Sequence, residues 1–356
     1  MGGAEKQTVL LANKMFSAGH DVMIISLTGE TVVRPEKGIH LRELNLDKSI
    51  FKLCNGLFKA RKIIKKFKPD VIHSHMYHAN IFSRILRLFT KIPVLICTAH
   101  STNEGSTLRM LAYRYTDRLA SLSTNVSQDA VDSFVSKRAS TADRMIVVTN
   151  GIDTSQFHFS VSDRQTKRTE LAISDETPML LSVGRLMKAK DYPNLLNAYS
   201  LLLKNYNYKN IPRLFIVGTG HLDSHLKNMA SELAIEQYVT FLGRRDDIRQ
   251  LMCATDIFVL SSEWEGFPLV ITEAMACKKL IVATDSGGIK EALGECGAVV
   301  PVKNPDALSN AIYKMINLSD DEKISLGEKV RARIVKTNSI DKIVEHWMSI
   351  YTSYGK

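Results

Sequence analysis

The stretch Glu265-Gly266-Phe267-Pro268-Leu269-Val270-Ile271-Thr272-Glu273 concentrates residues able to do chemistry. It follows an apolar run, Ile257-Phe258-Val259-Leu260, that reads as a buried strand, and it leads into a helix reaching Ala276. Pro268 suits the first turn of that helix, where a missing N–H costs nothing. Glu265 falls in the turn and Glu273 a little over one turn into the helix, so both can face the space beyond the strand's C-terminal end. Unpaired N–H groups and the positive end of the helix dipole point into the same space, which suits a phosphate. Carboxylates would repel the anion itself and are better placed for hydroxyl groups. A ligand carrying both phosphates and hydroxyls is a nucleotide sugar. Spacing alone leaves a second option open, a carboxylate pair of the glycosidase kind.

Other strand ends share this character. Gly184-Arg185-Leu186 closes the run Met179-Leu180-Leu181-Ser182-Val183, and Lys190 follows on the loop. Arg185 can clamp phosphate oxygens bidentately and Lys190 can supply a compact charge, although two solvated cations on a loop would read the same way. Gly218-Thr219-Gly220 is a glycine turn after a strand, open to close approach by a ligand or to a purely structural role. The full Gly-x-Gly-x2-Gly fingerprint is missing, since Asp223 follows Leu222, and a nicotinamide oxidoreductase is disfavoured. Asp285-Ser286-Gly287-Gly288 opens a further helix, either as an anion site or as a tight turn.

In the first half, His100 follows a strand over residues 94–99. It can contact a donor sugar, assist a proton transfer, or serve as a hydrogen-bonded structural residue. His73, His75 and His78 form His-x-His-x2-His, but no carboxylate or cysteine accompanies them at ligand spacing. Acceptor contact or plain structure is therefore preferred to a metal. Residues 51–67 read as a helix with an apolar seam of Leu53, Leu57, Ala60, Ile64 and Phe67. Lys52, Lys59, Arg61, Lys62, Lys65, Lys66 and Lys68 crowd the remaining surface, with no acid among them. That favours an anionic lipid surface, each nearby cation contributing about 1 kcal/mol. A core-packed helix with a basic outer face is compatible with it, and Arg84, Arg87 and Lys91 extend the patch. Nucleic acid fits less well, because no aromatic platform accompanies the charge.

These residues need a frame to hold them. At 356 residues the chain is too long for one ordinary core, and 45% hydrophobic with 24% charged residues is a globular composition. The five cysteines are scattered and never paired as Cys-x2-Cys, so a disulfide framework is not expected and a reducing cytoplasm fits. No run approaches the roughly 20 apolar residues that cross a bilayer, and no signal peptide is visible. The net charge of +10 points to an acidic partner without choosing among phosphates, lipid and nucleic acid. Strands and helices alternate throughout, which predicts parallel, doubly wound sheets. Asn150-Gly151-Ile152-Asp153 and the polar residues after it mark the boundary between two such domains. Ligands bind beyond the C-terminal strand ends of such sheets, and the expectation is two Rossmann-like domains facing across a cleft.

Taken together the motifs resemble the family 4 glycosyltransferases, retaining enzymes of GT-B fold, over nearly the whole chain. The resemblance runs through Gly3-Ala4-Glu5 at the first helix, Asn150-Gly151-Ile152-Asp153 with Phe157, Gly184-Arg185-Leu186 with Lys190, and Phe241-Leu242-Gly243. Its most specific part is Glu265-x7-Glu273. It implies an acceptor domain over residues 1–157, a donor-binding domain over 158–338, and a last helix over 339–356 that packs back on the first domain. It also implies a nucleotide-diphosphate sugar, a UDP-sugar being favoured, with Arg185 and Lys190 on the diphosphate and Glu273 on the ribose hydroxyls. Glu265 and the backbone of Gly266, Phe267, Pro268 and Leu269 would address the transferred sugar, Gly218 and Gly220 would line the site, and His100 matches a donor-site histidine. No cofactor and no essential metal is expected. Family members begin with a strand and a glycine-rich loop ahead of the position of Gly2, and a gap in the first sheet is expected where that strand would lie.

The resulting expectation is a retaining enzyme that adds a sugar to a polyprenyl-diphosphate-linked oligosaccharide in bacterial surface polysaccharide assembly. It would be cytoplasmic and held at the inner face of the plasma membrane through Lys52, Lys59, Lys62, Lys65 and Lys66. A soluble acceptor, or an inactive sugar-nucleotide-binding partner of another transferase, are the competing readings.

Overall fold

A computed structural model describes residues 2–29, 31–47 and 49–355. The chain divides into two compact units, residues 1–153 with 340–356, and residues 154–339.

The first unit begins with α1 (Gly3–Ser17), β1 (Met23–Ser26), β2 (His40–Glu43) and α2 (Ile50–Phe67). It continues with β3 (Val71–His75), α3 (Tyr77–Arg87), β4 (Val94–Thr98) and α4 (Thr107–Thr116). β5 (Leu122–Asn125), α5 (Gln128–Ser136) and β6 (Met145–Val147) complete the alternation. All pairings are parallel, but the strands form two sheets: β1 with β2, and β3-β4-β5-β6 in that order. Side-chain packing joins them. Ile25 and Leu27 share a core with Ile72, Leu95 and Cys97 from the larger sheet and with Ala60 and Ile64 from α2. β4 is buried along its whole length, which is why it reads as an unbroken apolar run. Two helices escaped the sequence reading, α4 and α5, both started by a serine cap: Ser106 and Ser127 accept from the N–H of Arg109 and Ala130.

The second unit contains α6 (Val161–Glu170), β7 (Met179–Val183), α7 (Tyr192–Asn205), β8 (Arg213–Val217) and α8 (Asp223–Glu232). β9 (Val239–Gly243), α9 (Ile248–Ala254), β10 (Ile257–Leu260), α10 (Leu269–Ala276) and β11 (Leu280–Thr284) follow. α11 (Ile289–Leu293), β12 (Ala298–Val300), α12 (Pro305–Ile316) and α13 (Asp320–Asn338) close the unit. Its parallel sheet runs β12-β11-β10-β7-β8-β9, so chain order reverses between β7 and β10. The polar segment after residue 153, which reads as a boundary, in fact contains α6. Arg164 and Arg168 tie α6 to Asp256 at 2.7 and 3.2 Å, and Arg168, only 2% exposed, also donates to carbonyls of Ala254, Ser174 and Thr177.

α14 (Ile340–Tyr354) belongs to the first unit. Ile343, Trp347 and Ile350 form one buried cluster with Leu11 and Met15 of α1 and with Val94, Ile96 and Leu122 of the sheet.

Candidate active site

The reversal between β7 and β10 is the topological switch point of the second sheet, the position at which open α/β sheets bind ligands. The loops that follow β11, β10, β7 and β8 therefore lie side by side, and each carries a segment marked by sequence. Hydrogen bonds lace them into a rim. Gly184 N donates to Val217 O at 2.9 Å, Leu186 N to Thr219 O at 3.1 Å, Glu263 N to Ala189 O at 2.9 Å, and Gly288 N to Gly266 O at 3.1 Å. Three glycines are required by this lacing. A Cβ on Gly218 (φ +143°) would lie 1.9 Å from Gly184 O, and one on Gly287 (φ +57°) 2.2 Å from Glu265 O. A Cβ on Gly220 would likewise meet Leu186 O at 2.2 Å. Gly218 and Gly220 thus admit the neighbouring loop, which sequence alone could not separate from admitting a ligand.

Lys190 ends a single 3-10 turn, Lys188–Lys190, stopped by Asp191 in the left-handed region (φ +42°). Asp191 then caps α7 through Asn194 N, and Ser261 Oγ fixes Lys190 O at 2.9 Å. So held, Lys190 Nζ reaches Glu265 Oε1 at 2.5 Å, across the switch point. Ser262 Oγ donates to the same Oε1 at 2.6 Å, which leaves Oε2 of Glu265 without a partner among the described residues. Arg185 is exposed, and its guanidinium makes no hydrogen bond or ion pair among the described residues. Pro268 stands just before α10 as its N-cap, one position earlier than the sequence implies, and is buried together with Phe267. Glu273, one turn into α10, is only 8% exposed. Glu263 pairs with Lys303, which lies beyond β12. Sequence reasoning missed Ser262, which its Ser-x-x-Glu spacing to Glu265 could have signalled, and Lys303, which no local pattern marks.

In the first unit, His73 and His75 do share a strand face, their ring centroids 4.0 Å apart. His73 is fully engaged: Nδ1 lies 2.7 Å from Tyr351 Oη and Nε2 2.6 Å from Thr98 Oγ1. His75 Nδ1 lies 3.1 Å from His100 Nε2. Burial holds all three below the ordinary imidazole range, His73 at about 3, His100 at about 4 and His75 well down, with neighbouring rings adding to the effect on His73 and His75. All three are therefore neutral at pH 7. His78 is exposed on α3, apart from them, so the triplet does not converge. Among the described residues no group of three or more His, Cys, Asp or Glu side chains is placed to hold a metal ion.

α2 differs from its expected face. Ala60 and Ile64 are buried, but Leu53, at the start of the seam, is 40% exposed. Opposite the seam, Phe51 and Phe58 are 88% and 70% exposed, one above the other at seven-residue spacing among exposed Lys52, Lys59, Lys62, Lys65 and Lys66. The patch does not extend to α3. Arg84 is fully buried, bonding Ser123 Oγ at 2.8 Å and Asp117 Oδ1 at 3.4 Å. Arg87 donates to Leu119 O and Ser121 Oγ at 3.0 Å each. Sequence gave no means of telling a buried arginine from a surface one. Among the described residues no helix is long and apolar enough to cross a membrane.

Two Rossmann-like units, with cations and carboxylates at the switch point of the second, define a GT-B glycosyltransferase. Comparison with known proteins agrees. Residues 163–345 match the family described as glycosyl transferases group 1, and residues 1–156 match glycosyltransferase family 4. The chain belongs to the group 1 glycosyl transferases, with a family 4 first half. It is 27% identical over 316 residues to UDP-Gal:alpha-D-GlcNAc-diphosphoundecaprenol alpha-1,3-galactosyltransferase of Escherichia coli, covering 85% of this chain and 80% of that one. It is 30% identical over 290 residues to D-inositol 3-phosphate glycosyltransferase of Corynebacterium jeikeium, covering 75% and 68%. The fold matches that of Anabaena HepE, solved in complex with UDP, with a TM-score of 0.84 at 22% identity, over 99% of this chain and 96% of that one.

Proposed function

We propose that this glycosyltransferase takes a UDP-sugar and transfers the sugar, with retention of configuration, to a lipid-diphosphate-linked oligosaccharide in surface polysaccharide synthesis. The observation that carries the donor half is the switch point itself, where Lys190 pairs with Glu265 and exposed Arg185 follows the end of β7. Arg185 and Lys190 would receive the diphosphate, Glu273 the ribose hydroxyls, and Glu265 with the backbone of residues 266–269 the transferred sugar. His100 is assigned to the donor sugar from the family resemblance alone. The complex of HepE with UDP supports a uridine nucleotide. No metal is assigned a role.

In the proposed reaction the bond from the anomeric carbon to the diphosphate breaks, and the acceptor oxygen forms its bond on the same face. The acceptor proton passes to the departing phosphate oxygen. Arg185 and Lys190 stabilise the negative charge that grows on the leaving group, the kind of preorganised electrostatic contribution that is usually the largest in catalysis. Glu265 then needs no nucleophilic role.

The lipid-linked acceptor is supported by α2, whose exposed phenylalanines sit in a field of lysines, and by the diphosphoundecaprenol-linked substrate named for the Escherichia coli relative. On this reading the enzyme works at the inner face of the plasma membrane. A soluble acceptor has support from the Corynebacterium relative, named for inositol 3-phosphate. Incubating the protein with a panel of UDP-sugars and a synthetic alkyl-diphosphate N-acetylhexosamine, read by mass spectrometry, tests the assignment. Glu273→Ala serves as the control. Transfer only to soluble acceptors, with no flotation on anionic liposomes, would defeat the lipid-linked reading.

A further inference from the structure

The first two turns of α2 cover a cavity. Lys52, Asn55, Gly56 and Lys59 follow the i, i+3, i+4, i+7 spacing of one helix face, and with residues 44–46, which leave β2, they enclose about 250 Å³. The wall facing the helix is fixed by its backbone: Leu44 N donates to Ser26 O at 2.9 Å and Leu46 N to Leu27 O at 2.8 Å. Between them Asn45 takes the left-handed conformation, with φ +53°. Gly56 lets this wall close on the helix, since a Cβ there would stand 2.4 Å from Leu46 Cδ2. The lining offers donors and positive charge but no carboxylate. Asp47, next along the chain, is already taken by Lys52 Nζ at 2.5 Å and by Ser49 N at 2.9 Å. Lys59 has no ion pair, and the amides of Asn45 and Asn55 no hydrogen bond, among the described residues. Two cations against one acid leave a positive charge beside two free amides, a set that suits phosphate oxygens.

Size narrows the ligand. The cavity is smaller than the roughly 300–1,000 Å³ of pockets that enclose a whole small molecule, so it takes a small anionic group whose remainder stays outside. What stands outside is apolar: Phe51 and Phe58, both exposed, each come immediately before a lysine of the cavity. An anionic group carrying a hydrocarbon tail satisfies both halves. We propose that this cavity binds the phosphate of a small phospholipid headgroup, with the acyl part lying along Phe51 and Phe58. This deepens the proposed function and rests on the reading that α2 meets an anionic membrane. It differs from diffuse attraction, in which every lysine of α2 counts alike.

Amide 1H–15N spectra of the full chain, titrated with dihexanoyl phosphatidylglycerol below its micelle concentration, read the site directly. The backbone amide of Gly56 and the side-chain amides of Asn45 and Asn55 are expected to shift together. No shift would overturn the proposal, and equal shifts with inorganic phosphate would overturn its lipid part. Flotation then compares phosphatidylglycerol vesicles with oleate-containing vesicles of the same zeta potential. On phosphatidylglycerol, Lys59→Gln should lose roughly tenfold more affinity than Lys66→Gln, whose lysine lies on α2 outside the cavity. On oleate vesicles the two variants should fall alike. Equal losses on phosphatidylglycerol would refute the site while leaving the attraction of α2 to anionic membranes intact. No flotation of the wild type on either vesicle, with the short-chain lipid still shifting the three amides, would bring down the membrane reading and leave the site.

Discussion

Replacing Glu265 by glutamine and Lys190 by methionine, singly and together, probes the contact that spans the switch point. At the observed 2.5 Å separation the Coulomb attraction is about 7 kcal/mol for an effective dielectric of 20 and about 1.7 kcal/mol in bulk water. The side chains are 17% and 13% exposed, so the true environment lies between these limits, and desolvation of both ions offsets much of the gain. A coupling of about 2 kcal/mol is the working value, well above the typical contribution of an exposed pair. Urea unfolding of the four proteins, followed by circular dichroism, should therefore show each single variant destabilised and the double variant less so than the sum. A coupling below about 0.5 kcal/mol would mean that the pair is screened and the loops are held by backbone contacts alone. The same cycle tests the donor assignment. If Lys190 must leave Glu265 to reach the diphosphate, Glu265→Gln should bind UDP severalfold tighter, with a ceiling of roughly thirtyfold from the coupling. Lys190→Met should bind it more weakly. UDP affinities that are equal across all four proteins would refute the placement of Lys190 on the diphosphate.

Acid should weaken the first unit through its histidines. Their folded pKa values, about 3 for His73, about 4 for His100 and well below 6.5 for His75, lie under the unfolded value, so the unfolded chain binds more protons. That stability is complete above about pH 6.5 and is lost as pH falls towards 4, by up to roughly 1.4 kcal/mol per unit for each histidine. Urea titrations at pH 7, 6 and 5 measure the slope, and a flat profile would contradict burial of the neutral rings. Gly218→Ala should cost about 3 kcal/mol or more, seen as a lower thermal midpoint, because the new methyl would overlap Gly184 O and the backbone would be strained at φ +143°. Changing Phe51 and Phe58 to serine should weaken flotation on anionic vesicles more strongly at high salt than at low salt, where the lysines still attract. Equal loss at every salt would indicate that the rings do not enter the bilayer.

The strands and their order along the chain were legible because parallel strands buried on both faces advertise themselves as apolar runs, β4 and β10 most plainly. The segments that matter at the switch point were legible for a related reason: each ends such a run with a glycine, a cation or a carboxylate. Contacts distant in sequence were not. Nothing near Lys190 announces that it pairs with Glu265, and nothing in Arg84 or Arg168 distinguishes them from surface cations, since burial of an arginine depends on carbonyls and carboxylates gathered from other elements. The amphipathic period of α2 correctly located its buried side from Leu57 onward but drew attention away from Phe51 and Phe58, which break the pattern on the opposite side. The split of the first unit into two sheets follows from pairing, which alternation alone does not specify.

The return of α14 to the first unit has a consequence for biosynthesis. Leu11, Val94 and Leu122 are made early, yet the side chains that cover them, Ile343, Trp347 and Ile350, emerge from the ribosome only after the whole of residues 154–339. At 5–20 residues per second that interval is about 10–40 s. Through it the second unit, whose residues are contiguous, can finish folding while the first still exposes an apolar surface. Tyr351, which anchors His73, arrives later still. The buried histidines around His73 are thus completed only after residues 154–339 have been made.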